Sequence, residues 1–146
     1  MIERARASAR RNGLVHQVLH PAGWPLPSGY VNGVAAKGRM VFTGGLVGWD
    51  AGGRFPADFA GQTRQTLANT LAVLGLAGAG PAHVVRMTWY VCDIDEYRTA
   101  RKEIGAAYAE LMGRNYPAMA VVEVTRLVEP LARLEIETTA VVPEEP

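Results

Sequence analysis

The sequence predicts an α+β fold in which two helices pack on one face of a mixed β-sheet. Two segments carry apolar residues at the three- and four-residue spacing of a buried helix face. Short segments rich in β-branched and aromatic residues surround them and predict strands. A chain of 146 residues suits one compact domain. The predicted order is two strands, a helix, a strand, a helix and two strands.

The N-terminal part of the chain is predicted to lack regular structure. Residues 1–12 contain four arginines among small residues, and no apolar run follows them as a secretory signal requires. We therefore predict a flexible basic tail over residues 1–12 and a single domain over residues 13–146. Within that domain, residues 13–29 hold three prolines and three glycines, which predicts an irregular segment.

The next part of the chain is predicted to form two strands and a long helix. Residues 30–36 and 38–43 have the composition of short strands, and Lys37-Gly38 forms the turn between them. A helix opens at Ala57-Asp58 and ends at residues 78–81, where glycine and proline prevent its continuation. The predicted buried face of this helix consists of Phe59, Thr63, Thr66, Leu67, Thr70, Leu71 and Leu74.

The C-terminal half is predicted to contain a strand, a helix and two further strands. Residues 84–92 form the strand, and residues 95–111 repeat apolar side chains at helical spacing until Gly113 closes the helix. Residues 119–124 and 133–142 are the last strands. Two helices can cover only one face of the resulting sheet, so the other face is expected to be buried by association with further copies.

Composition argues against several classes of partner. Fifteen basic residues against fourteen acidic ones give a net charge of +1, which provides no attraction for nucleic acid. The single cysteine, Cys92, leaves no cysteine cluster for zinc, and the one i,i+4 histidine pair, His16 and His20, has no nearby carboxylate in the sequence. No glycine pair has the register of a phosphate loop. No apolar run reaches the roughly 20 residues that span a bilayer. We predict a cytoplasmic protein with no cofactor, metal, nucleic-acid or membrane partner.

Several segments match, in order, the signature segments of one family. The most specific is residues 116–124, YPAMAVVEV, which is followed by LEIE at residues 134–137; the family usually reads P-A-R-S-x-V-E-V at the first of these. The other matching segments are VFTGG at 41–45, QTRQTLAN at 62–69 and VVRMTWYV at 84–91. Over roughly residues 28–142, the chain resembles the Rid (YjgF-type) reactive-intermediate deaminases.

This resemblance implies both an assembly and a reaction. Rid proteins have a chorismate-mutase-like fold and form homotrimers with clefts between subunits. They hydrolyse enamines and imines to ketones and ammonia without a metal or organic cofactor. Such hydrolysis needs an anchor for the substrate, a protonated iminium carbon and a positioned water molecule.

Met119 stands where the family has the arginine that pairs with the substrate carboxylate. A guanidinium donates two parallel hydrogen bonds to a carboxylate, whereas a thioether is apolar and a weak acceptor. Loss of that charge-assisted contact costs about 1.5–3 kcal/mol of binding free energy, which disfavours simple 2-imino acids as substrates. The sequence leaves open whether another arginine, such as Arg126 or Arg133, compensates from a neighbouring element.

Other predicted site residues follow from the same resemblance. Glu135 falls at the position of the glutamate that holds the attacking water, although it also fits the solvated face of an alternating strand. Tyr30 aligns with a tyrosine that covers the ligand. Gly45, Trp89 and Val121 are assigned with Met119 to the substrate-binding wall, which is more apolar than in typical family members.

Trp24 and Trp49 are further candidates, either for lining the pocket or for the core. Glu123 matches the glutamate of the V-E-V motif and is expected to have a structural role.

The predicted function is hydrolysis of a reactive enamine or imine, with Glu135 as the catalytic residue. The alternative is a small-molecule binding or regulatory paralogue without activity. A remoter alternative is an endoribonuclease or translation inhibitor, to which the near-neutral charge gives little support.

Overall fold

The computed structural model describes residues 13–145, and a four-stranded sheet forms its centre. The flexible tail predicted for residues 1–12 lies outside the described part of the chain. The sheet has the order β3-β6-β4-β5. The strands of the protein are β1 (Gln17–Leu19), β2 (Gly33–Ala35), β3 (Arg39–Phe42), β4 (Val84–Val91), β5 (Ala118–Glu123) and β6 (Leu134–Val142).

The sheet is mixed, as the sequence predicts. Strand β4 pairs in parallel with β5 and antiparallel with β6, which in turn pairs antiparallel with β3. A register shift interrupts the β4–β6 ladder between Val84 and Arg86. Beyond β5, the backbone of Val31 adds an isolated parallel bridge to Ala118.

The helices pack on one face of this sheet. They are α1 (Phe59–Gly75), α2 (Ile94–Thr99) and α3 (Arg101–Met112), with a 3₁₀ turn at Pro81–His83 before β4. The residues that α1 buries include six of the seven predicted from helical spacing, with Leu71 half-buried. Arg64 of α1 also pairs with Glu110 of α3 across the helix surface.

The single helix predicted for residues 95–111 is two helices in the structure. The chain leaves regular helical geometry at Ala100, where φ is −90° and ψ is 10°. Asp93 caps α2 by accepting hydrogen bonds from the amides of Asp95 and Glu96. A sequence period of three to four residues continues through such a bend, so the break leaves no mark on the pattern of apolar residues.

The N-terminal segment differs more from its prediction. Residues 13–29, predicted to be irregular, contain β1, which pairs with β2 in a separate two-stranded sheet. Strand β2 therefore does not pair with β3, although the two are neighbours in the chain. Gly38 has φ of +149° at the crossing between the two sheets, and a Cβ there would lie 2.2 Å from the carbonyl oxygen of Val142.

The two faces of the four-stranded sheet have different surroundings. Side chains on the helix-covered face, such as Met87, Trp89 and Ile136, are at most 2% exposed. On the opposite face, Phe42 is 63% exposed and Val122 is 42% exposed. One face thus forms the hydrophobic core, and the other face, here called the open face, remains accessible in the single chain.

Candidate active site

A cavity of about 500 Å³ lies along β4 and β5, on the helix-covered face of the sheet. Its walls come from residues 28–30, from β4 and β5, from α2 and α3, and from Tyr116 just before β5. The core closes one side of the cavity, and exposed residues at its mouth open it to solvent. A concave site of this volume is typical of small-molecule binding.

Four of the predicted substrate-binding residues line this cavity: Tyr30, Trp89, Met119 and Val121. The parallel register of β4 and β5 explains why three of them meet. Met119 pairs with Met87, and Val121 pairs with Trp89, so all of these side chains emerge on the same face. Tyr30 comes from a different part of the chain and, at 43% exposed, stands at the mouth of the cavity.

Three further tyrosines make the cavity strongly aromatic. Tyr97 of α2 meets Trp89 edge to face, with ring centroids 6.2 Å apart. Tyr108 and Tyr116 stack with centroids 5.5 Å apart and planes at 11°. The buried hydroxyl of Tyr108 donates a hydrogen bond to the carbonyl of Asn115, and burial raises the pKa of this tyrosine above its usual range.

Tyr97 and Tyr108 belong to the side chains that repeat at helical spacing over residues 95–111, a pattern that predicts a buried helix face. In the structure, the same inward face also borders the cavity.

Arg101, the first residue of α3, also lines the cavity. Sequence analysis did not identify Arg101, because it lies outside every segment that matches the family. The two arginines considered from the sequence lie elsewhere. Arg133 pairs with Glu96, and neither Arg133 nor Arg126 belongs to the cavity wall.

Glu135 and Gly45 lie together on the open face, away from this cavity. Glu135 is paired with Tyr90 on β4, which places its side chain opposite to that of Trp89. Gly45 is directly beside it, since a Cβ at Gly45 would lie 2.7 Å from the Glu135 carboxyl carbon. Within one chain, therefore, the predicted catalytic carboxylate and the predicted substrate wall are on opposite faces of the sheet.

The surroundings of Glu135 are polar. The hydroxyl of Tyr90 donates a 2.6 Å hydrogen bond to Glu137, the next acidic residue of β6 on the same face. This bond is the main reason that the pKa of Tyr90 is raised, because the phenol must stay protonated to donate it. Glu135 makes no hydrogen bond or ion pair within residues 13–145, which leaves its carboxylate available to water or to another molecule.

The remaining residues considered from the sequence lie outside the cavity. Glu123 accepts a 3.1 Å hydrogen bond from the amide of Ile94 and so ties β5 to the start of α2. Trp24 is 57% exposed, and Trp49 is 47% exposed and packs against Phe55. Neither tryptophan lines the cavity or belongs to the core.

Two kinds of feature are missing from the described residues, 13–145. They contain no group of three His, Cys, Asp or Glu side chains placed to hold a metal ion. None of their helices is both long enough and apolar enough to cross a membrane.

Comparison with known proteins finds a matching family model and similar curated relatives. The family model described as endoribonuclease L-PSP matches residues 25–142. The chain is 35% identical over 113 residues to the 2-iminobutanoate/2-iminopropanoate deaminase of Escherichia coli, covering 77% of this chain and 86% of the relative.

Solved structures share the fold. A conserved Rid-family protein of unknown function from Yersinia pestis, YyfB, is 34% identical with a TM-score of 0.74, covering 87% of this chain and 98% of that one. Escherichia coli TdcF with bound serine is 30% identical with a TM-score of 0.65, covering 86% of this chain and 98% of that one.

Proposed function

The chain belongs to the Rid (YjgF-type) family, and from that premise we propose that it hydrolyses a reactive enamine or imine to a carbonyl compound and ammonia. The observation that carries the proposal is the cavity itself. Tyr30, Trp89, Met119 and Val121 come from three separate segments of the chain and converge on one concave, aromatic site. A relative of this family, TdcF, has been solved with bound serine, which supports a small-molecule site in this fold.

We propose that the complete active site forms between copies of the chain. Glu135 cannot reach the Met119 cavity of its own chain, because the sheet separates them. A neighbouring copy that packs through its open face would bring its own Glu135 and Gly45 toward that cavity. Exposed apolar residues on this face, Phe42 and Val122, favour such packing. A homotrimer, as the family resemblance implies, would contain three equivalent sites.

The proposed reaction needs only proton transfers and water. Protonation of an enamine at carbon, or of an imine at nitrogen, gives an iminium ion. Water then adds to the iminium carbon and forms a C–O bond, while Glu135 takes the released proton. Transfer of this proton to nitrogen makes an ammonium leaving group. As the C–N bond breaks, its electron pair leaves with nitrogen, and the hydroxyl group gives its proton to Glu135, so that a carbonyl compound and ammonia result.

The experiment measures ammonia release from freshly generated imines and enamines, with Glu135→Gln compared with wild type. A general base contributes about 10²- to 10⁴-fold to rate, so we expect Glu135→Gln to lower kcat by at least about a hundredfold. Glu137→Gln is the matched control, since it lies on the same strand and face, changes the same charge, and keeps an oxygen that can accept from Tyr90. Equal rates for Glu135→Gln and wild type would contradict the assigned role.

A second candidate function is small-molecule binding without catalysis. It is favoured by the wall of the cavity, which within residues 13–145 carries no carboxylate and has Met119 at the position where the family resemblance implies an arginine. The same assay separates the two functions. Saturable ligand binding by wild type with no ammonia release from any substrate would support the binding protein and exclude the hydrolase.

A further inference from the structure

The Arg101 side chain is an unused cation at the edge of the cavity. It is exposed, lines the same cavity as Met119, and makes no ion pair or hydrogen bond within residues 13–145. Several other arginines are already engaged. Arg39 donates to a backbone carbonyl, and four more are paired with carboxylates: Arg54, Arg64, Arg98 and Arg133.

Arg101 follows directly on the bend between α2 and α3. Ala100 is both the C-cap of α2 and the N-cap of α3, so the start of α3 adjoins the end of α2. The acidic residue in the first turn of α3 is Glu103, and Arg101 makes no ion pair with it. The Arg101 guanidinium is therefore available to a ligand in the cavity that it lines.

We propose that Arg101 binds the carboxylate of the substrate. It would thereby take the role of the arginine that the family resemblance implies at the position of Met119. This inference rests on the proposed function, since it takes the cavity to be the substrate site, and it names the substrate class. The substrate is a 2-imino or 2-enamino acid with a bulky, aromatic side chain. A guanidinium suits this task because its planar fork donates two parallel hydrogen bonds to a carboxylate.

The size and walls of the cavity indicate that the substrate has a bulky, aromatic side chain. A three- or four-carbon imino acid would leave most of about 500 Å³ unfilled. The walls present the rings of Tyr30, Trp89, Tyr97, Tyr108 and Tyr116, which match an aromatic group in shape and polarity. In addition, Nε1 of Trp89 is buried without a hydrogen-bond partner among residues 13–145, so the wall has an unused donor.

Met119 and Arg101 differ in exposure and therefore contact different parts of the ligand. Met119 is half-buried beside the core, whereas Arg101 is at the exposed mouth. A carboxylate held by Arg101 therefore lies at the mouth of the cavity, and the remainder of the molecule extends inward over Met119 and Trp89. The apolar Met119 side chain then forms part of the surface on which the aromatic group packs.

The test is equilibrium binding of three stable probes to the full chain, measured by calorimetry. The probes are phenylpyruvate, phenylacetone, which lacks the carboxylate, and pyruvate, which lacks the ring. We expect phenylpyruvate to bind most tightly. Arg101→Ala should weaken phenylpyruvate binding about ten- to hundredfold and leave phenylacetone binding unchanged. Lys102→Ala is the matched control, because it removes the same charge from the next residue of α3 without touching the cavity.

Three results would overturn the proposal: unchanged phenylpyruvate affinity in Arg101→Ala, an equal loss in Lys102→Ala, or pyruvate binding as tightly as phenylpyruvate. Measurements of ammonia release distinguish an error in the assigned role of Arg101 from an error in the proposed hydrolysis. Arg101-dependent binding without ammonia release from any imine would uphold the anchor and refute hydrolysis. Ammonia release from the imine of phenylpyruvate with the same KM in wild type and Arg101→Ala would uphold hydrolysis and refute the anchor.

Discussion

At the scale of single residues, Gln62 forms hydrogen bonds with three backbone groups from inside the core. Its side chain is 2% exposed, and its amide nitrogen donates to the carbonyls of Pro56 and Leu131 at 3.1 and 3.0 Å. Its oxygen accepts from the amide of Arg133 at 2.8 Å. These bonds fix the loop before β6, and therefore the point where the strand carrying Glu135 begins. A glutamine with all of these groups satisfied stabilises a buried position.

We predict that Gln62→Leu lowers the free energy of unfolding by about 2–3 kcal/mol, because it leaves several backbone groups without partners. Chemical denaturation with urea would measure this. Gln65→Leu is the control, since Gln65 is half-buried on the same helix and makes one side-chain hydrogen bond, to Asn69. An equal decrease in the free energy of unfolding in both variants would show that the three hydrogen bonds of Gln62 do not stabilise the fold more than the single bond of Gln65.

At the scale of elements, α1 is held closely against the loop that follows β3. Asn69 donates to the carbonyls of Val47 and Trp49 at 2.9 and 2.8 Å. Gly48 is buried against the helix, and a Cβ there would lie 2.6 Å from the carbonyl oxygen of Gln62. The approach is backbone to backbone, so no flexible side chain can move aside. This contact positions the loop whose earlier residue, Gly45, lies beside Glu135.

Gly48→Ala should therefore destabilise the fold by about 1–3 kcal/mol through overpacking. Gly44→Ala, four residues earlier in the same loop, should change stability by less than about 0.5 kcal/mol, because its Cβ would meet nothing within 4 Å. Thermal unfolding followed by circular dichroism compares the two. If Gly48→Ala unfolds at the wild-type temperature, the helix and loop are free to separate.

At the scale of the whole molecule, the sheet separates two sets of predicted site residues. The cavity with Tyr30, Trp89 and Met119 is on one side, and Glu135 is on the other. Activity as proposed thus depends on association between copies. The open face carries the exposed apolar side chains of Met40, Phe42 and Val122, which are 57%, 63% and 42% exposed.

We expect wild type to have three times the chain mass of 15.7 kDa in light scattering. Phe42→Glu should shift the protein to monomer and abolish ammonia release together, because a buried, unpaired carboxylate disfavours the interface. Leu76→Glu is the control, since Leu76 is 91% exposed at the end of α1 and lies away from the sheet. A monomeric wild type, or a trimeric Phe42→Glu with full activity, would contradict the composite site.

The sequence alone determined the elements whose residues repeat regularly. Helix α1 and strands β4, β5 and β6 were predicted near their observed positions, because apolar periodicity directly reflects burial on one face. Strand β1 was missed, since three residues between glycine and proline carry too little periodicity. The bend at Ala100 was missed because helical spacing continues through it.

Motif matching likewise identified residues that belong to one cavity, including Tyr30, Met119 and Val121, and the family to which the chain belongs. Only the tertiary structure decided two further points. The strand register places the side chain of Glu135 on the face of the sheet opposite to that of Trp89. A second copy of the chain is therefore necessary for the proposed site. The start of α3 brings Arg101 to the cavity from outside every family motif. Both depend on contacts between residues distant in the chain, and a single sequence carries no record of such distances.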